Sequence, residues 1–271
     1  MKLAAAVVVA LLPAAAQADA LRVATADYDE ATYGQSPPGM TPVVVVDPEP
    51  AIVEPAPDAR STIAKQSESV AAQRHFLSGT ALTVPQGRVE IAGKSAIVVN
   101  GVSIAAGLTS TTELWADVYT VIDDEGGVYG AGLKQVLARG DSWQLAATGS
   151  IRGGGDGGDD ERIASLGGII TACTQNCTAM ASAGVQVLFA DDEDEALPIY
   201  SGGISLGNAT SRLVGELMMV EEDGDSAGIG YLGVRFGSKK LAADIGLVRV
   251  IEDGGSDDLP AWPLFSLAGR M

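Results

Sequence analysis

From about residue 79 to the C-terminus the chain keeps a rhythm that few folds can accommodate. Acidic, glycine-rich stretches centred near Asp124, Gly157, Glu193, Gly224 and Gly254 alternate with short turns near Gly140, Gln175, Asn208 and Lys239. Each interval holds roughly ten residues of apolar/polar alternation, the length of one tilted membrane-spanning β-strand. The pattern predicts an all-β fold, an antiparallel up-and-down transmembrane β-barrel over residues 79–271. Its first candidate strands lie near Thr80–Ile91, Ser95–Ala106 and Thr111–Ile122, and its last near Leu259–Arg270. The total is about twelve strands, an even number as bacterial single-chain barrels require. Ten is the alternative, because Gly87 to Ser103 reads either as one long strand or as a hairpin turning at Asn100-Gly101. With both termini periplasmic, counting back from the last strand puts every acidic stretch outside as a long loop and every short turn inside.

The N-terminal residues read as an export signal. Lys2 precedes an apolar stretch from Leu3 to Leu12, and Ala16-Gln17-Ala18 or Ala18-Asp19-Ala20 supplies a small-residue cleavage site, so residues 1–20 are expected to be a signal peptide. Residues 21–78 form a Pro/Ala-rich linker. Pro37, Pro38, Pro42, Pro48, Pro50, Pro55 and Pro57 oppose helix and central strand, and favour a disordered or extended polyproline segment. Only Ser61 to Phe76 has the composition of a short helix. Cys173 and Cys177 flank Thr174-Gln175-Asn176 at one of the short turns, which suits a local disulfide in an oxidising compartment. A metal site is not expected there, because the single histidine, His75, is far away in sequence.

Charge divides by position. The formal charge of −18 argues against nucleic acid as a partner, since phosphate would be repelled. Much of it sits in Asp123-Asp124-Glu125, Asp159-Asp160-Glu161, Asp191 to Glu195, Glu221 to Asp225 and Glu252 to Asp258, which leaves the strands free for apolar surroundings. Weak divalent-cation binding is conceivable there, although no loop has EF-hand or nonapeptide spacing. Within the strands, alternation separates Leu114, Ala116 and Val118 from Glu113, Trp115, Asp117 and Tyr119. It likewise opposes Leu133 to Lys134, Leu213 and Leu217 to Arg212 and Glu216, Leu232 and Phe236 to Arg235, and Ile245 and Leu247 to Asp244. Glu113, Asp117, Lys134, Arg212, Glu216, Arg235 and Asp244 are therefore candidate lumen-lining residues, either a selectivity lining or a structural network filling a narrow barrel. No nucleophile elbow, phosphate loop or clustered His/Cys/carboxylate site stands out, so no cofactor and no catalysis are expected.

Several short motifs bear on family. They are Gly79-Thr80-Ala81-Leu82-Thr83-Val84-Pro85-Gln86-Gly87, Asn100-Gly101-Val102 leading to Thr109 and Leu114, Gly132-Leu133-Lys134, Glu216, Asp244-Ile245-Gly246-Leu247 and Leu259-Pro260. In this order they resemble small Gram-negative outer-membrane β-barrel proteins, most without an assigned function. The resemblance implies a barrel, an outer-membrane location with lipid, lipopolysaccharide and the barrel-assembly machinery as partners, and no active residues to carry over. The function expected is a narrow pore for small solutes or a structural and surface role. The alternative is a soluble periplasmic or secreted β-sandwich or lipocalin-like binding module, whose strand charges would all lie on the outer face.

Overall fold

The computed structural model describes residues 61–73, 77, 79–96, 99–121, 127–155, 161–190, 196–222, 225–252 and 261–271. Two short helices come first, α1 (Thr62–Gln66) and α2 (Val70–Gln73), and twelve strands follow. These are β1 (Val89–Ala96), β2 (Val99–Gly107), β3 (Thr112–Val121), β4 (Gly127–Arg139), β5 (Trp143–Gly155) and β6 (Glu161–Cys173), then β7 (Ala179–Ala190), β8 (Leu197–Gly207), β9 (Ser211–Glu222), β10 (Asp225–Gly237), β11 (Leu241–Glu252) and β12 (Trp262–Arg270). Each pairs antiparallel with its sequence neighbours, and β1 pairs with β12, from Glu90↔Arg270 to Ala96↔Leu264, to close the barrel. Closure leaves no sheet edge exposed.

The side-chain pattern is inside-out relative to a water-soluble protein. Leu114, Val118, Leu133, Leu166, Leu213, Leu232, Ile245, Leu247 and Phe265 are among the large apolar side chains exposed on the outer surface. Glu90, Glu113, Asp117, Arg212, Glu216, Arg235 and Asp244 are buried on the inner face. Apolar surface left facing outward on so many strands is stable in hydrocarbon and unfavourable in water. A soluble sandwich or lipocalin-like module with its charges outside is thus not the fold of this chain.

Four details differ from the sequence-based expectation. Thr80–Ile91 is not one strand. Thr80, Ala81, Leu82, Thr83 and Val84 are all buried, without the alternation that a barrel strand shows, and β1 starts only at Val89. Asn100 and Gly101 are not the first hairpin turn but lie within β2 opposite Ser95 and Lys94, so the barrel reaches twelve strands and not ten. Glu221, Glu222 and Asp225, expected in a long acidic loop, instead belong to β9 and β10. Finally, β4 carries an irregularity at Leu137, between Val136↔Ala146 and Ala138↔Leu145, which the alternation does not signal; Leu137 itself is exposed on the outer face, as its spacing from Leu133 suggests. The signal peptide, the proline-rich segment, His75 and most of the acidic clusters lie outside the described residues.

Candidate functional site: a lumen plugged from one end

One end of the barrel carries the turns 108–111, 140–142, 174–178, 208–210 and 238–240, together with the C-terminal Met271. The described chain begins at this end. Ser61 accepts at its side-chain oxygen from the Ala64 N–H and caps α1, and the Ile63 N–H donates to the Asp141 carbonyl at 2.9 Å. The segment then enters the lumen. Leu77 N–H donates to Glu216 Oε2 at 2.5 Å, and Glu216 is the sixth of the twelve residues of β9, so the chain has reached half depth. Gly79, at φ 66°, reverses it in a conformation that an L side chain resists. It returns past Thr171, Gln144, Lys134 and Glu113 to Gln86, which bridges to Gly107 at the end where it entered. Residues 61–86 are therefore a re-entrant plug.

Small inner-wall residues make room for it. Val70 and Ala71 of α2 pack against Ala92, Ala242 and Ala268. Ala81 packs against Ala146 and Ile169. Ile63, Ala72 and Leu82 meet Met180 and Cys177. Cys177 is disulfide-bonded to Cys173 across the 174–178 turn, as the spacing suggested.

Polar contacts reach mostly to the plug backbone. Lys134 Nζ donates to the Leu82 carbonyl at 2.7 Å, Gln144 Nε2 to the Ala81 carbonyl at 2.6 Å, and Arg270 Nη1 to the Ser67 carbonyl at 2.8 Å. In the other direction, Ala81 N–H donates to Thr171 Oγ1 at 2.8 Å and Val84 N–H to Glu113 Oε2 at 2.7 Å. The buried backbone of the plug, which has no strand partner, is satisfied by wall side chains.

The seven residues singled out from sequence all point inward, and cross-strand register groups them. Glu113 and Lys134 are directly paired residues of β3 and β4, joined at 3.0 Å. Arg235 and Asp244 are paired across β10 and β11 and form a buried ion pair, and Asp244 also accepts from Ser266 Oγ at 2.5 Å. Arg212 lies opposite Arg235 in the register and donates to Ser205 Oγ at 3.1 Å and to the Cys177 carbonyl at 2.9 Å. Glu216 binds the plug, as above. Asp117 pairs with Arg152 at 3.0 Å over Gly130, the residue between them in register. A Cβ on Gly130 would come within 2.7 Å of Arg152 Cγ and 2.8 Å of Asp117 Oδ1, so glycine is what lets that pair reach across a strand.

Sequence reasoning missed Arg152, Glu90, Arg270, Gln144 and Thr171. Arg152 was detectable, since it directly follows Ile151, which alternation with Trp143, Leu145 and Ala147 puts on the outer face. Glu90 and Arg270, which meet at 2.8 Å on the closing seam of β1 and β12, depend on a register that a shifted first strand hides.

Fold and lumen together define the class: a closed, twelve-stranded antiparallel β-barrel of the outer-membrane kind, with a charged interior and an inserted N-terminal plug. Among solved structures the chain is similar to the KdgM porin, at 9% sequence identity and a TM-score of 0.50, with 68% of this chain and 97% of that one covered. The KdgM porin in complex with disordered oligogalacturonate gives 8% identity, the same coverage and a TM-score of 0.53. The Acinetobacter baumannii outer-membrane protein Omp33 gives 10% identity, 68% and 98% coverage and a TM-score of 0.47. No protein-family model matches the sequence, and neither does any curated protein.

Proposed function

We propose that this protein is a non-catalytic outer-membrane β-barrel whose narrow bore is stoppered at rest by its own residues 61–86 and passes small solutes only when they withdraw. In this reading the termini and short turns face the periplasm, the acidic end faces outward, and the apolar belt lies in lipid. The observation that carries it is how the plug is held. Among the described residues, at least seven hydrogen bonds join wall side chains to plug main chain between Ser67 and Val84. Such bonds can be exchanged for bonds to water at a small net cost each, which leaves the small apolar contacts of Ile63, Val70, Ala71 and Leu82 as the main cost of withdrawal. The interior charges are engaged with one another and with the plug, a use that needs no substrate chemistry.

Planar-bilayer recording on the full chain and on a variant lacking residues 61–84 tests the proposal. The full chain is expected to be closed for most of the record, and the variant to conduct steadily. Steady conductance by the full chain removes the stopper. A variant that folds, by the faster gel mobility of its unboiled form, yet never conducts would leave the structural role and remove the pore.

A further inference from the structure

Above the plug the lumen contains a cavity of about 290 Å³, whose walls differ in chemistry. On the wall made by β1, β3 and β5, the Arg152 guanidinium stands 5.4 Å from the Trp115 ring centre while Nη2 donates to Asp117 Oδ2. Lys94 stands 6.0 Å from the ring centre of Tyr119. Both line the cavity, but the Arg152 side chain is 24% exposed and that of Asp117 only 6%, so the cation presents more of its surface there. The deeper carboxylates of this lining, Glu90 and Glu113, are matched by Arg270 and Lys134. Across the cavity, on β6 to β9, the lining is uncharged and mostly apolar, with Ser165, Gln186 and Ser201 among aliphatic side chains. Leu188 and Ile199 are buried in one cluster with Val220, and Ile163 and Met218 pack against it.

Two features orient Arg152 for a ligand. The cation–π contact with Trp115 and the bond to Asp117 both restrain the guanidinium, which reduces the entropy left to lose on binding. A guanidinium carries five N–H donors in a fork that matches a carboxylate, and the bond to Asp117 occupies one nitrogen. With Lys94 nearby, two cations surround a single acid. A ligand that suits both walls has one anionic head and a short apolar body. The volume lies at the lower end of small-molecule sites, which run from about 300 to 1,000 Å³, and this limits the body to a short chain.

We propose that this vestibule is a binding site for a short-chain aliphatic carboxylate, its head on Arg152 with Lys94 beside it and its chain on Leu188, Ile199 and Met218. The site goes beyond the pore reading, because it requires the cavity and no movement of the plug. Calorimetry on the full chain in lipid nanodiscs, titrated with hexanoate, hexanamide and acetate, tests it. Hexanoate is expected to bind saturably and at least tenfold more tightly than hexanamide, which lacks the charge, or acetate, which lacks the chain. Arg152→Gln should lower hexanoate affinity about tenfold, to the level of hexanamide, and Leu188→Ser should weaken hexanoate while leaving acetate unchanged. Because Arg152→Gln alone leaves Asp117 without its cation, the Asp117→Asn/Arg152→Gln double variant, checked for folding by gel mobility, repeats the measurement. Equal hexanoate affinity in the wild type and this double variant, equal affinity for hexanoate and hexanamide, or no saturable heat would each overturn the proposal.

Discussion

At the residue scale the wall is organised by what glycine permits. Gly130 separates Asp117 from Arg152 in register, and any Cβ there collides with both. Gly149 has only ordinary contacts, with its nearest atom at 3.6 Å. The two positions form a matched pair: Gly130→Ala is expected to destabilise the barrel by about 1–3 kcal/mol through overpacking and a displaced ion pair. Gly149→Ala is expected to be neutral or to stabilise by up to about 1 kcal/mol, because alanine reduces the freedom of the unfolded chain. Urea unfolding in detergent micelles, followed by tryptophan fluorescence, measures both. Side-chain direction was the part of the site most legible in the sequence. Glu113, Asp117, Lys134, Arg212, Glu216, Arg235 and Asp244 follow from a period of two, which needs no knowledge of neighbours. Pairing was not legible. That Asp117 meets Arg152 and Glu216 meets a backbone N–H depends on register and on a segment of chain that no local pattern brings near.

At the scale of elements, strands and plug were unequally visible. A barrel strand has a lipid face and a lumen face, so its sequence alternates, and β3, β5, β9, β10 and β11 could be read directly. Thr80–Val84 is enclosed on every side. Nothing forces it to alternate, and a run of small apolar and threonine residues then resembles a strand. The cost of loosening it should be modest and local. Removing the partners of the Ala81 backbone in a Gln144→Leu/Thr171→Val variant forfeits two hydrogen bonds to the plug, each worth about 1 kcal/mol, together with the Arg139–Gln144 and Thr171–Ser182 bonds within the wall. Amide exchange at Ala81 and Leu82 is expected to accelerate at least tenfold, while exchange in β9 and β10, away from these contacts, stays as it was. Equal acceleration throughout the wall would mean that plug and barrel open as one unit.

At the scale of the whole molecule, the segregation of an apolar belt from a charged interior is expected to make the folded form resistant to detergent and compact on a gel. Unboiled protein is expected to migrate faster than boiled protein, a shift that a water-soluble β-protein does not require. Wall and plug also share their ends. Arg270, one residue from the C-terminus, donates to Ser67, 203 residues earlier, and pairs with Glu90 beside it. Arg235 reaches Ala71 across 164 residues. Contacts this distant in sequence are the slow ones to form, because a long loop must close before they contribute anything. The earliest part of the described chain is therefore completed by the last strand: a product truncated before β12 keeps the holds of Asp141 and Arg235 on α1 and α2 but has neither the closing seam nor the Arg270 clasp on Ser67.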